Sequence, residues 1–133
     1  MHLTNIILLA TAAILSVVQA APVPSSCKGW RLTSPPNNPG LTWNTGSNQG
    51  ISWDTGASKV KTITTIALVS SDNSVNEIFD SPNKPAGTWG SAEFTLPLDV
   101  PTGNYHFQVS AKTSDNQKCS LDSNSFKLKN IFD

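Results

Sequence analysis

Apolar and polar positions alternate most clearly at residues 105–110, where Tyr105, Phe107 and Val109 interleave with His106, Gln108 and Ser110. A period of two places one set on the buried face of a strand and the other on its exposed face. Just upstream, Leu96-Pro97 and Pro101-Thr102-Gly103 break any regular element, so this strand is entered through a turn. The same logic runs along the rest of the chain. Residues 27–33 predict a first strand with Trp30 and Leu32 on one side. The prolines of residues 34–40 stop it, since proline cannot donate to a ladder. Thr42-Trp43-Asn44-Thr45-Gly46 and Ser52-Trp53-Asp54-Thr55-Gly56 follow, each a tryptophan strand closed by a Thr-Gly turn. Ile51 shares a face with Trp53, which makes Trp53 a core residue.

Residues 62–69 are rich in β-branched side chains and predict a central strand. The alternation slips after Thr64, which predicts a bulge or burial on both faces. Residues 75–79 read as a shorter strand near an edge, 80–87 as a loop, and 88–96 as a strand with Phe94 and Leu96 on one face. Residues 112–118 form a polar hairpin. Residues 119–128 close the chain and offer Leu121, Phe126 and Leu128 for burial. Beyond the N-terminal segment no stretch has helical period. The fold class expected is all-β: a single immunoglobulin- or fibronectin-III-like antiparallel β-sandwich of about seven strands spanning residues 30–129.

Residues 1–20 stand apart. The run 6–18 is apolar except for Thr11 and Ser16 and ends in Val18-Gln19-Ala20. This is the form of a secretory signal cleaved after Ala20. The competing reading, a membrane anchor, needs about 20 apolar residues, and the run is shorter. Residues 21–29, with Pro22 and Pro24, read as a leader. Nine basic and nine acidic residues give a formal net charge of zero. No basic stripe is present for nucleic acid. Serine, threonine and asparagine dominate the polar positions, and no Asn-x-Ser/Thr sequon occurs. Cys27 and Cys119 are the two cysteines, and in a secreted chain a single pair forms a disulfide joining the first strand to the last. No hydrophobic tail of the kind that directs a GPI anchor is seen. The expected setting is extracellular, free or at a cell wall, with no membrane span after cleavage and a monomeric state.

Leu32-Thr33-Ser34-Pro35, Gly40-Leu41-Thr42-Trp43, Ile51-Ser52-Trp53-Asp54, Leu96-Pro97 and residues 102–109 occur in that order. Together they resemble the N-terminal Ig-like domain of the fungal yeast cell wall synthesis family of Kre/Knh type. The same domain occurs in Ser/Thr-rich GPI-anchored wall proteins. The resemblance implies a secreted β-sandwich in or near the fungal wall, associated with β-glucan. It implies no catalytic residue set.

Each candidate chemistry has an ordinary structural competitor. Glycoside hydrolysis needs two carboxylates across a cleft. Asp54, Glu77, Asp80, Glu93 and Asp99 show no pairing in their spacing, and Asp at strand–turn borders usually serves the turn. His106 has no Gly-x-Ser-x-Gly elbow to partner and lies on the polar side of its strand. With one histidine after residue 20 and a bridged cysteine pair, no metal or other cofactor is expected. Sugar rings stack on exposed aromatic faces, and Trp43 and Trp89, next to turns, are the candidate ligand-binding residues. The competing reading places all four tryptophans in the core. The function expected is a non-catalytic wall-associated module that binds polysaccharide, β-glucan above all, or a wall protein. The alternatives are a small secreted protein-interaction protein and a weak hydrolase.

Overall fold

Trp53, Ile51 and Phe107 are sealed at 1% exposure or less, and two sheets close over them. The computed structural model describes residues 23–133, without the side chains of residues 80–83. The signal-peptide reading of residues 1–20 therefore lies outside the described residues. Nine strands are present among the described residues: β1 (Arg31–Ser34), β2 (Thr42–Asn44), β3 (Asn48–Asp54), β4 (Val60–Ser70), β5 (Val75–Pro85), β6 (Trp89–Thr95), β7 (Gly103–Thr113), β8 (Lys118–Asp122) and β9 (Phe126–Lys129). One sheet has the order β1-β3-β6. The larger sheet has the order β2-β9-β7-β4-β5, with β8 also paired to β7. The chain passes between the sheets at β1–β2, β2–β3, β3–β4, β5–β6 and β6–β7, as Greek-key sandwiches do. This is an all-β sandwich of immunoglobulin/fibronectin-III type.

The predicted alternation holds where it was clearest. In β7, Tyr105, Phe107, Val109 and Ala111 are buried. They meet Ile51 and Trp53 of β3 and Ala92 and Phe94 of β6 in one core. The slip after Thr64 has both predicted causes. The register of β4 shifts between Ile63 and Thr65 against β5 and β7 alike. Beyond the shift, Ala67, Leu68 and Val69 are all buried.

Four expectations are corrected. The closing stretch is two strands, because Ser123 interrupts it: its N–H donates to the Phe107 carbonyl at 2.8 Å and its Oγ accepts from the Phe107 N–H at 2.8 Å. β8 then pairs with the second half of β7 and β9 with the first. The loop expected at 80–87 is largely the continuation of β5 to Pro85. β5 is an edge strand, where a proline without an N–H costs no ladder bond. The larger sheet is mixed rather than antiparallel, since β2 runs parallel to β9. Finally, the Cys27–Cys119 disulfide does form, with Cα atoms 5.7 Å apart, but it joins a short 3-10 turn (Ser25–Cys27) ahead of β1 to β8. That turn is also held by Ser26, whose carbonyl accepts from the Lys59 N–H at 2.8 Å and whose hydroxyl donates to Asp115 at 2.6 Å. Part of the segment read as a leader is thus packed against the sandwich.

Candidate ligand-binding face

The outer face of the three-stranded sheet follows from the same alternation. Ala92 and Phe94 of β6 point inward and are buried, so Trp89, Ser91, Glu93 and Thr95 point outward, all exposed. Gly90 belongs to the inner set: a Cβ there would lie 2.6 Å from three atoms of the Trp53 indole. The indole fills that space and donates from Nε1 to the Ala86 carbonyl at 2.9 Å. On β3, Ile51 and Trp53 face the core, which turns Gly50, Ser52 and Asp54 outward.

Strand register then sets the face in rows. Arg31, Asp54 and Trp89 form the first, and Ser34, Ser52 and Ser91 the second. Gly50 and Glu93 form the third, Asn48 and Thr95 the fourth. Arg31 Nη2 lies 3.3 Å from Asp54 Oδ2, so the two charges beside Trp89 cancel. Asp54 Oδ1 also accepts from the Gly56 N–H at 2.8 Å, the turn role expected of it. The hydroxyls of Thr33 and Ser52 are 2.7 Å apart, and Ser52 donates to Ser34 at 2.9 Å. Among the described residues, Ser91 and Glu93 make no side-chain hydrogen bond, which leaves their polar groups open to a ligand. Over Gly50 runs a shallow groove of about 340 Å³ bounded by Asn48, Ser52, Ser91 and Glu93.

The two tryptophans singled out from sequence separate. Trp89 is 80% exposed on this face. Trp43 is half-buried, its ring 4.6 Å from Phe126 and 6.0 Å from Phe107 between centroids, so it belongs to the rim of the core. Trp89 sits opposite Asp54, whereas β2 and its turn lead into Asn48 at the other end of β3. At about 3.3 Å per residue, the length of β3 puts roughly 20 Å between those ends. The two rings do not make a common platform.

Candidate catalytic groups are likewise apart. Asp54 and Glu93 lie four positions from one another along paired strands, roughly 13 Å. Glu77 is on the other sheet, and Asp99 is in the turn before β7. The side chain of Asp80 is outside those described. His106 lies on the outer face of the larger sheet, with Nε2 3.7 Å from Asp122. Among the described residues no three His, Cys, Asp or Glu side chains converge as metal ligands, and no helix is long and apolar enough to cross a membrane.

Two features escaped the sequence reading. Tyr105 donates to the Pro101 carbonyl four residues upstream at 2.5 Å, the tyrosine corner of such sandwiches. Burial, with a smaller effect from the Asp72 charge, pushes its hydroxyl pKa up. Tyr105 also lines a hollow of about 400 Å³ with Asp72 and Val100. There the Ser70 and Ser74 hydrogen bonds to Asp72 hold its carboxyl at about 2. The second feature is an apolar apex. Leu98, Ile131 and Phe132 are 51%, 50% and 76% exposed. Buried Asn130 fixes the segment that carries them: its amide donates to the Val100 carbonyl at 2.8 Å, and its Oδ1 accepts from the Phe132 N–H at 2.8 Å.

No protein-family profile matches the chain, and no curated protein matches it. Among solved structures it is similar to the fibronectin(III)-like modules of Clostridium thermocellum CbhA, at 19% identity and a TM-score of 0.46, over 77% of this chain and 97% of that one. It is also similar to an AA10 lytic polysaccharide monooxygenase from Streptomyces lividans, at 14% identity and a TM-score of 0.49, over 68% of this chain and 59% of that one. A Salmonella alpha-2-macroglobulin gives 20% identity and a TM-score of 0.48, over 88% of this chain and 7% of that one. At these identities and TM-scores the neighbours bear on neither ligand nor reaction.

Proposed function

We propose that this chain is a secreted, non-catalytic, wall-associated module that binds wall polysaccharide, β-glucan first, through the outer face of the three-stranded sheet. The observation that carries the reading is Trp89: a large aromatic ring, 80% exposed, at one end of a polar face that carries the hydroxyls of Ser34, Ser52, Ser91 and Thr95 and the carboxylate of Glu93. Axial C–H groups of a pyranose meet such a ring favourably, while its hydroxyls need partners of the kind Ser52, Ser91 and Glu93 provide. The disulfide fits an oxidising, extracytoplasmic compartment. The wall-synthesis resemblance supports the same setting. No catalytic step is part of the proposal, since the carboxylates on the face are separated and one of them serves an ion pair and a turn.

The second reading, a protein-interaction protein, is favoured by the apex of Leu98, Ile131 and Phe132. Co-sedimentation with insoluble β-1,3-glucan, β-1,6-glucan, chitin and cellulose distinguishes the two. The expected result is retention on β-glucan that is lost in Trp89→Ala and kept in Leu98→Ser. Absence of retention on every polymer overturns the reading and transfers weight to the apex.

A further inference from the structure

Resting on that reading, we infer that the face takes a single neutral glycan chain laid lengthwise along β6, from Trp89 to the groove over Gly50, with Glu93 accepting sugar hydroxyls at the far end. Three observations converge. The outward residues of β6 stand in line, and Trp89 and Glu93 lie roughly 13 Å apart along it, room for a short oligosaccharide. Gly50 has no side chain to block the floor, and an ideal Cβ there would come within 3.5 Å of Glu93 Cγ, so the Glu93 stem borders the bare strip. β6 is an edge strand, so no further strand walls the face on that side and a polymer can pass along it.

Chemistry selects the class of ligand. Arg31 and Asp54 neutralise one another, and among the described residues Glu93 has no ion-pair partner, which leaves it as an anionic acceptor on this face. A neutral sugar donates hydroxyls to it in charge-assisted hydrogen bonds. A uronate or phosphate brings like charge against it. Trp89 is the sole aromatic side chain in the outward rows of the described sheet, which suits one ring stacked on one chain. A flat crystalline surface would call for several coplanar rings.

The test is a titration of the secreted protein, followed by indole fluorescence, with soluble β-linked glucose oligosaccharides from disaccharide to hexasaccharide. The expected result is affinity that climbs with length and then levels once Glu93 is reached. Glu93→Gln, exposed and outside the core, then weakens the ligands long enough to reach it about tenfold and affects the disaccharide less, while Ser91→Ala, two positions from Trp89, weakens every length. Uronic-acid oligosaccharides of equal length bind about tenfold more weakly than neutral ones, and Glu93→Gln removes that difference. Polymer retention that depends on Trp89, but with no binding of soluble oligosaccharides or no effect of Glu93→Gln at any length, overturns the lengthwise chain and leaves the wider reading standing. Failure of both polymer and oligosaccharide binding removes both.

Discussion

Trp43, Trp53 and Trp89 show what decides the fate of one residue type in one small domain. Trp53 is sealed because Gly90 opposite it has no side chain and the Ala86 carbonyl meets its N–H. Trp43 is half-sealed by Phe107 and Phe126. Trp89, facing outward on an edge strand, meets neither. Truncation should follow that order. Trp53→Ala is expected to cost about 3–5 kcal/mol and Trp43→Ala about 2 kcal/mol, while Trp89→Ala stays within about 0.5 kcal/mol in urea unfolding. A large loss for Trp89→Ala would place its ring in the core and remove it as a ligand platform. Gly90→Val should be more harmful than any exposed substitution on β6, since its branched side chain collides with the Trp53 indole. Of this separation, the sequence showed the burial of Trp53, through the face it shares with Ile51, but not the difference between Trp43 and Trp89. Trp43 and Trp89 both flank turns, and what separates them is contributed by β7 and β9, more than sixty residues from Trp43 in the chain.

At the scale of elements, strand periodicity was legible and strand limits were not. β7 declared itself because its residues 105, 107, 109 and 111 are all buried while the alternate positions are polar, and β3 through the buried pair Ile51 and Trp53. The extent of β5 was hidden by Pro82 and Pro85, which signal a loop in a central strand but are tolerated on an edge. The split between β8 and β9 depends on one serine bonding across to Phe107, which no local pattern announces. The turns carry their own titratable fastenings. Hydrogen bonds from Ser26 and then Thr113 hold the Asp115 carboxyl below its usual range, and Asp72 is held at about 2 by Ser70 and Ser74. A carboxylate whose folded pKa is lowered contributes its full stability above the unfolded value and loses it as pH falls through the folded one. The Tm advantage of the wild type over Asp115→Asn should therefore be constant near neutrality and shrink on acidification below the ordinary carboxylate range. An advantage that grows in acid would contradict the Ser26–Asp115 tie. Tyr105→Phe should cost about 1 kcal/mol by removing the bond to Pro101.

Across the described molecule, the sandwich is held by one core and one covalent tie. Cys27 and Cys119 are 92 residues apart in sequence, so the bridge removes unfolded-state entropy worth about 4–5 kcal/mol in the chain-entropy model. The Cys27→Ser/Cys119→Ser protein should lose about 2–5 kcal/mol in denaturant titration. An unchanged midpoint would mean that the packed turn at residues 25–27 holds without it. Fold class and the cysteine pair could be read from the chain because alternation and compartment are local signals. The ligand face could not, because it assembles β1, β3 and β6 from three distant segments, and its hydroxyls look like any solvated strand face until register aligns them. The most direct test of that face is amide and indole chemical-shift mapping of the protein titrated with a soluble β-glucan oligosaccharide. Shifts are expected to gather at the Trp89 indole N–H and the amides of residues 50–54 and 89–93. Shifts centred on Leu98, Ile131 and Phe132, or none at saturating sugar, would contradict this assignment.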